Sequence, residues 1–483
     1  MNELGVGIVY FKGFENFLAS HSSLVDVVEI EPQTFWYDRE NGCDAFKYDA
    51  DVTGFLRALP QPKLFHGVGY PVGGTCFAPG TQFNTLKQQA EILRPAWLSE
   101  HLSFNNFIKN GREINSGFLL PPLQSAVGVE VAAENIRRYR AQMNLPFAFE
   151  TGVNYLQPRK NEMPDGLFVK KVAEAADCMI LLDLHNILCN QRNGRQSVKD
   201  FFDSLPHERI IELHMGGGMY HDDYYLDAHS GTSDRELLDI MPYVVTRLPN
   251  LKALIFEMDP DAIKKVPERA LTDQLTAMHR AWEKRGLNYR QPIAGQPKEP
   301  EGLAEKPITV NEWERTLGGL VLGQPSASML GAELERDKGV GIIKNIVFNF
   351  RGSVLVSTLR LTTRLIRLSV GEETFYKHIQ DFFAGYFPEL LPVVMAEQFA
   401  AYLKSNCADV LYLEQMMAYE LASIRTAIDK QNREIKFNFD PAPLFASLEK
   451  VRLPSAPLIE KEVTLQVVFN LGQQVGFTPV FHN

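Results

Sequence analysis

The sequence predicts an α/β fold, a (β/α)8 TIM barrel, followed by a mostly helical second domain with a small β-containing tail. Three observations carry this. Residues 1 to 285 hold eight successive apolar runs, segments of helical periodicity separate them, and nearly every run ends in a histidine or a carboxylate. Strands alternating with helices give a parallel sheet, and eight such units over roughly 250 residues match a closed barrel.

The runs, in order, are VGIVY from Val6, VDVVEIEP from Val25, KLFHGVG from Lys63 and WLSEHLSF from Trp97, then FAFETG from Phe147, MILLDLHN from Met179, RIIELHMG from Arg209 and ALIFEMD from Ala253. TQFNTLKQQAEILR from Thr81, QSAVGVEVAAENIRRYRAQM from Gln124 and SDRELLDIMPYVVTRL from Ser233 carry the 3.6-residue period of helices. A doubly wound open sheet is the structural alternative, but no GxGxxG phosphate loop follows an early strand. The run Gly216, Gly217, Gly218 after His214 reads as a tight turn with close backbone approach.

The barrel domain is expected over 1–287. Residues 288–308 (NYRQPIAGQPKEPEGLAEKPI) mix proline, glycine and charge, as a linker does. The second domain is expected over 309–483. It includes helical stretches such as EETFYKHIQDFFAGYFPELL and VLYLEQMMAYELASIRTAI, then extended runs IKFNF and EVTLQVVF. At 483 residues and 45% hydrophobic content, the chain can fill more than one core.

A net charge of -10 argues against unspecific binding to nucleic acid or anionic membrane. No uninterrupted apolar stretch reaches the ~20 residues of a membrane span, and MNELGVGIVY lacks the marks of a signal peptide. A cytoplasmic location is expected. Cys43, Cys76, Cys178, Cys189 and Cys407 form no CxxC pair, so neither a disulfide framework nor a thiolate cluster is expected.

The chemistry lies at the run ends, because all strands of a parallel barrel point their carboxyl ends at one mouth. His66, His101, Glu150, Asp183, His185, His214 and Glu257 would converge there, joined by Asp227 and His229 from YYLDAHSG. The two-residue period puts Asp183 with His185, Glu212 with His214, and Glu257 with Asp259 on shared faces. Any one of these alone is compatible with a hydrogen-bonded core residue. Several inward carboxylates at one mouth are costly without a cation. Imidazole and carboxylate without thiolate suit iron, manganese or zinc. His21, His207, His279, His378 and His482 read as surface or packing residues, and His221 as a loop residue near the site.

VEIEPQTFW, KLFHGVG, LSEHLSF, FETGVNY, LLDLHNILCN, IIELHMGG, LDAHSG and LIFEMD, in that order over about residues 5 to 285, resemble the multinuclear non-haem iron-dependent oxidative enzymes, the barrel family typified by the methanobactin biosynthesis oxygenase. The resemblance implies two or three iron ions in a mixed-valence Fe2+/Fe3+ centre with dioxygen as co-substrate. Its ligands would be His66, His101, Glu150, Asp183, Asn186, His214, Asp227, His229 and Glu257. Glu150 would bridge, and Glu150, Asp183 and His185 would serve the reaction. Many relatives have two asparagines after the aspartate; here His185 and Asn186 stand there, so which of them ligates is open.

EETFYKHIQDFFAGYFPELL and VLYLEQMMAYELASI resemble the helical partner proteins that accompany these oxygenases, here fused in one chain. Arg360, Arg364 and Arg367 recur at helical spacing and would either contact an acidic leader or form a solvated face. The implied activity is oxidative modification of a ribosomally made precursor peptide, commonly at cysteine, with the second domain binding the peptide. The competing readings are a manganese or zinc isomerase or hydrolase of the xylose-isomerase or endonuclease type, and a non-catalytic peptide-binding scaffold.

Overall fold

The computed structural model describes residues 1–39, 46–289, 308–389, 391–469 and 476–480. Eight parallel strands close a barrel in sequential order: β1 Gly5–Val9, β2 Val27–Ile30, β3 Lys63–Gly67, β4 Leu98–His101, β5 Phe147–Glu150, β6 Met179–Asp183, β7 Ile210–Met215 and β8 Ala253–Phe256. The ring shuts through β8 on β1, with Gly7 opposite Ile255. Each of the eight apolar runs supplies one strand.

Alternation along the strands explains how a polar mouth sits on an apolar floor. Val27, Leu64, Ala148, Leu181 and Ile255 share one buried cluster with Val9, Trp97 and Ile211. Two positions further along each of those first five lies Glu29, His66, Glu150, Asp183 or Glu257. Side chains two apart share a face, so the polar residues form a layer directly over the apolar one. A register shift beside Ile180 and Leu181 pairs Leu181 with Glu212 and Asp183 with His214.

Helices between the strands start at residues with the right chemistry. Ser125 accepts a hydrogen bond from the Gly128 amide at the start of Ala126–Met143, and Asp49 accepts from the Asp51 and Val52 amides at Ala50–Ala58. Two hairpins decorate the mouth end: Phe104–Lys109 with Arg112–Leu120 after β4, and Met219–His221 with Tyr224–Leu226 after β7.

The expected linker falls largely on 290–307, outside the described residues. By contacts, the chain divides into units Met1–Lys344 and Asn345–Asn483, not at 309. The reason is the helix Val310–Val321, which belongs to the barrel unit. The Trp313 indole donates to the Pro121 carbonyl at 2.9 Å, and the Glu314 carboxylate accepts from the Thr75 amide at 2.6 Å. At Gly318 a β-carbon would stand 2.5 Å from the Phe107 ring, so only glycine permits this approach. The amphipathic pattern after the linker cannot reveal which core its apolar face joins.

The second unit holds helices Arg360–Val370, Glu372–Gly385, Pro392–Asn406, Leu413–Asp429 and Ala442–Glu449. An antiparallel sheet, Arg433–Phe439, Glu460–Val468 and Gly476–Val480, supplies the β tail expected from IKFNF and EVTLQVVF. Leu359, Phe382, Phe399, Leu403, Met416, Leu444 and Val467 lie in its core. The basic stripe is engaged within the chain: Arg360 and Arg364 meet Glu449, and Arg367 meets Glu372. Among the described residues one helix, Lys338–Thr358, meets the length and composition of a membrane span with mean hydropathy 1.2, although its residues include Lys338, Lys344 and Arg351.

Candidate metal centre

The carboxyl ends of the strands bring histidines and carboxylates into overlapping groups. His66 on β3, His101 at the end of β4 and Glu150 at the end of β5 form the first. Glu150 Oε2 lies 3.2 Å from His66 Nε2 and 2.8 Å from His101 Nε2. Glu150 also belongs to a second group with Asp183 and His214, and Asp183 to a third with His229 and Glu257. In each group the nearest ligand atoms lie within 4.8 Å of one another, close enough for one cation. Glu150 and Asp183 are the shared members.

The remaining sequence candidates flank these groups. Asp227 Oδ1 is 3.4 Å from both His185 Nε2 and His229 Nδ1. Asn186 donates to Glu150 Oε1 at 3.1 Å, while its own Oδ1 is buried with no hydrogen-bond partner. Asp183 and His185 do not share a strand face. β6 ends at Asp183, whose Oδ1 caps the helix Leu184–Arg192 by accepting from the His185 and Asn186 amides at 2.7 and 3.1 Å. The aspartate that ends the strand also starts the helix, and this turns His185 toward Asp227 and Cys189. Asp259 likewise leaves the β8 face and caps Pro260–Ile263. His221 lies on the exposed Met219–His221 strand.

Glycines shape the rim. A β-carbon at Gly216 would lie 2.7 Å from the His229 ring, and one at Gly218 would lie 2.8 Å from the His185 ring. His229 itself has φ 42°, left-handed backbone that a histidine adopts at a cost.

Charge at the mouth is unevenly held. Burial and the neighbouring Glu150 push Asp183 up to about 7, against the pull of His185 and His214. Burial also raises Glu257, but His229 and His214 outweigh it and hold this carboxyl at about 2. Burial lowers His229, yet Asp227, Glu257, Asp183 and Glu150 carry it up to about 9. A cation would relieve the crowding of carboxylates and displace these protons.

Sequence reasoning passed over Glu29, Glu31, Ser99 and Trp97. Glu29 and Glu212 are fully buried beside His214, with Glu29 Oε1 at 3.1 Å and Glu212 Oε1 at 3.9 Å from Nε2. Burial together with the charge of Glu257 raises Glu31, at the mouth end of β2, to about 7. The signal was present in VDVVEIEP, where two carboxylates sit two apart on an apolar strand, the same pattern that marked Glu212 and His214. Of the cysteines, Cys178, Cys189 and Cys407 are buried and Cys76 half-buried, all free, while Cys43 lies outside the described residues.

The fit to metal rests on orphaned polar atoms. Glu150 Oε2, Asp183 Oδ2, His214 Nδ1, Asp227 Oδ1 and His229 Nε2 are buried without a hydrogen-bond partner. Buried polar atoms of native proteins are nearly always satisfied, so this concentration at one mouth marks acceptor lone pairs kept for cations. A parallel barrel with histidine and carboxylate clusters at the carboxyl ends of its strands defines a protein of the TIM-barrel class whose mouth could hold metal ions.

The chain belongs to the family described as RiPP precursor modification enzyme MbnB/TglH/ChrH, whose sequence model matches residues 5–280. RiPPs are ribosomally synthesised and post-translationally modified peptides. A UPF0276 protein of Streptomyces avermitilis is 26% identical over 269 residues, 54% of this chain and 54% of that protein, so the match spans about half that relative's length. Another, from Psychromonas ingrahamii, is 26% identical over 43% of this chain and 73% of its own. Among solved structures, D-psicose 3-epimerase from Clostridium cellulolyticum H10 aligns with TM-score 0.35 and 14% identity over 58% of this chain and 95% of that one.

Proposed function

We propose that the barrel mouth binds two or three iron ions and, with dioxygen as oxidant, oxidatively modifies a ribosomally made precursor peptide that the second unit binds. The observation that carries this is the pair of shared carboxylates, Glu150 and Asp183, linking three ligand groups into one chain of adjacent positions. Two histidines and one carboxylate, as in His66, His101 and Glu150, are the ligand set of non-haem iron oxygenases, with positions left open for substrate and dioxygen. Family membership supplies the peptide as substrate class.

Iron, when bound, supplies the one-electron and dioxygen chemistry that no protein side chain offers. The chain's own residues hold and orient. Asn186 fixes the second Glu150 oxygen, and Asp183 anchors one oxygen on helix amides while the other stays free. The Tyr155 hydroxyl accepts the Asp227 amide at 3.0 Å and so fixes the backbone of the Asp227–His229 loop. His185 and Asn186 both remain candidates at the third position, His185 through Asp227 and Asn186 through its orphaned Oδ1.

Protein purified without oxygen should contain more than one iron per chain, show a mixed-valence paramagnetic resonance signal on partial oxidation, and consume dioxygen with its precursor peptide. Full activity with stoichiometric zinc or manganese and no iron would replace this reading by the isomerase or hydrolase one. For peptide binding, a chain ending at Thr358 keeps every residue of the barrel unit and completes the helix Lys338–Thr358. It should retain iron and bind the precursor at least about tenfold more weakly by calorimetry, a loss of ~1.4 kcal/mol. Equal affinity would assign recognition to the barrel alone.

A further inference from the structure

Three histidines in the first two ligand groups differ in what holds their other ring nitrogen. His101 Nδ1 lies 2.9 Å from the Gly67 carbonyl and 3.5 Å from the buried Glu100 Oε1, and His66 Nδ1 lies 2.8 Å from Ser99 Oγ. A carbonyl only accepts, so His101 carries its proton on Nδ1 and keeps the Nε2 lone pair for the mouth. Both of these rings turn Nε2 to Glu150. His214 is reversed. Its Nδ1 lies 3.3 Å from Glu257 Oε2, while Nε2 points the other way, 3.1 Å from Glu29 Oε1, an ion pair rather than an aligned hydrogen bond.

Glu29 is fully buried and belongs to none of the ligand groups that share Glu150 or Asp183. Behind it Glu212, also fully buried, receives the Trp97 indole N–H at 2.7 Å. Trp97 belongs to the apolar floor of the barrel. Trp97, Glu212, Glu29 and His214 thus form a line from the floor to the mouth. Glu29, Glu212 and His214 also lie close enough to hold a cation of their own. However, the indole N–H directed at Glu212 already uses one of those carboxylate oxygens, and His214 has a single lone pair to give.

We propose that Glu29 is a positioning residue: its carboxylate pairs with the Nε2 side of His214, fixes Nδ1 as the nitrogen that meets the metal, and makes this imidazole a stronger donor than His66. This rests on the reading that the mouth binds metal. A carboxylate behind a ligating histidine raises its basicity more than the hydroxyl behind His66 does. The charge of Glu29 would therefore favour the oxidised state of an ion held by His214.

The test uses the full-length protein with Glu29→Ala, the isosteric Glu29→Gln, and Ser99→Ala as the matched change behind His66. Affinities for iron(II) and for zinc are measured by chelator competition, with the fold followed by circular dichroism. The midpoint of the mixed-valence signal is read by redox titration. Glu29→Ala should bind both metals about 10- to 100-fold more weakly. Glu29→Gln, which keeps an acceptor but loses the charge, should retain wild-type metal content while its midpoint moves to higher potential; Ser99→Ala should leave the midpoint in place.

Unchanged affinity and midpoint in both Glu29 variants overturn the proposal. So does loss of one whole metal equivalent in Glu29→Gln, which would make Glu29 a ligand. If the wild-type protein takes zinc but no iron, the iron reading fails while the zinc affinities of the Glu29 variants still decide this one.

Discussion

Glu150 in the barrel and Glu420 in the second unit are both buried glutamates, and they are used in opposite ways. Glu420 accepts from the Leu361 and Thr362 amides at 2.7 Å each, so it caps the helix Arg360–Val370 within its own core. Glu150 has one oxygen held by Asn186 and the other orphaned among histidines. Burial raises both carboxyls. At Glu420 that rise prevails, while at Glu150 His101 and His66 outweigh it and hold the group well below the usual range. A buried carboxylate that closes a hydrogen-bond count serves the fold; one left open serves a ligand.

The largest way to break this contrast is Glu150→Gln, which keeps the shape and removes the charge shared by two ligand groups. Metal content and turnover should fall together, by at least the ~100-fold upper range for residues that only support ligands, with the circular dichroism spectrum unchanged. Wild-type metal and activity would remove Glu150 from its central role.

Glu420→Ala should do the reverse. It leaves two buried helix amides unpartnered and should destabilise the chain in urea unfolding by about 2–4 kcal/mol, with metal per chain unaltered. Metal loss in this variant would show that the two buried glutamates are not independent.

Glu314 sharpens the comparison as an intermediate case with a smaller effect. Its carboxyl is buried and satisfied by Thr75, and burial raises it to about 7. The folded chain thus holds a proton that the unfolded chain releases near pH 4.5. The contribution of Glu314 is full below that value and is lost as pH rises through about 7. Glu314→Gln keeps an oxygen to accept the Thr75 amide and can donate its NH2 to Thr75 Oγ1 instead of accepting from it, so its stability relative to wild type should rise by on the order of 1–2 kcal/mol between pH 5 and 8. A pH-independent difference would place the charge elsewhere.

The barrel was legible because parallel strands buried on both faces leave contiguous apolar runs, and each run ended in a polar residue that an apolar strand does not need. KLFHGVG and FAFETG gave His66 and Glu150 in this way. Asp183 and His185 were misread as sharing a face because period two was carried past a strand end that only the cap geometry reveals. Glu29 was missed although VDVVEIEP sets Glu29 and Glu31 two apart as RIIELHMG sets Glu212 and His214, because that run holds no histidine to draw attention to its carboxylates. The division after Lys344 was illegible for a different reason. The apolar side of Val310–Val321 fits any apolar surface, and only the partners of Trp313, Glu314 and Gly318 say which surface it meets.

On the proposed reading, the glycine run after β7 would control metal number through residues that bind nothing. A single methyl at Gly216 would stand 2.7 Å from the His229 ring and 3.3 Å from that of His185. His66, His101, Glu150 and His214 come from strand ends and owe nothing to that loop. A point substitution outside every ligand therefore separates the third position from the other two. On that reading, the number of ions held by one barrel would be adjustable by backbone clearance, without the exchange of a single ligand.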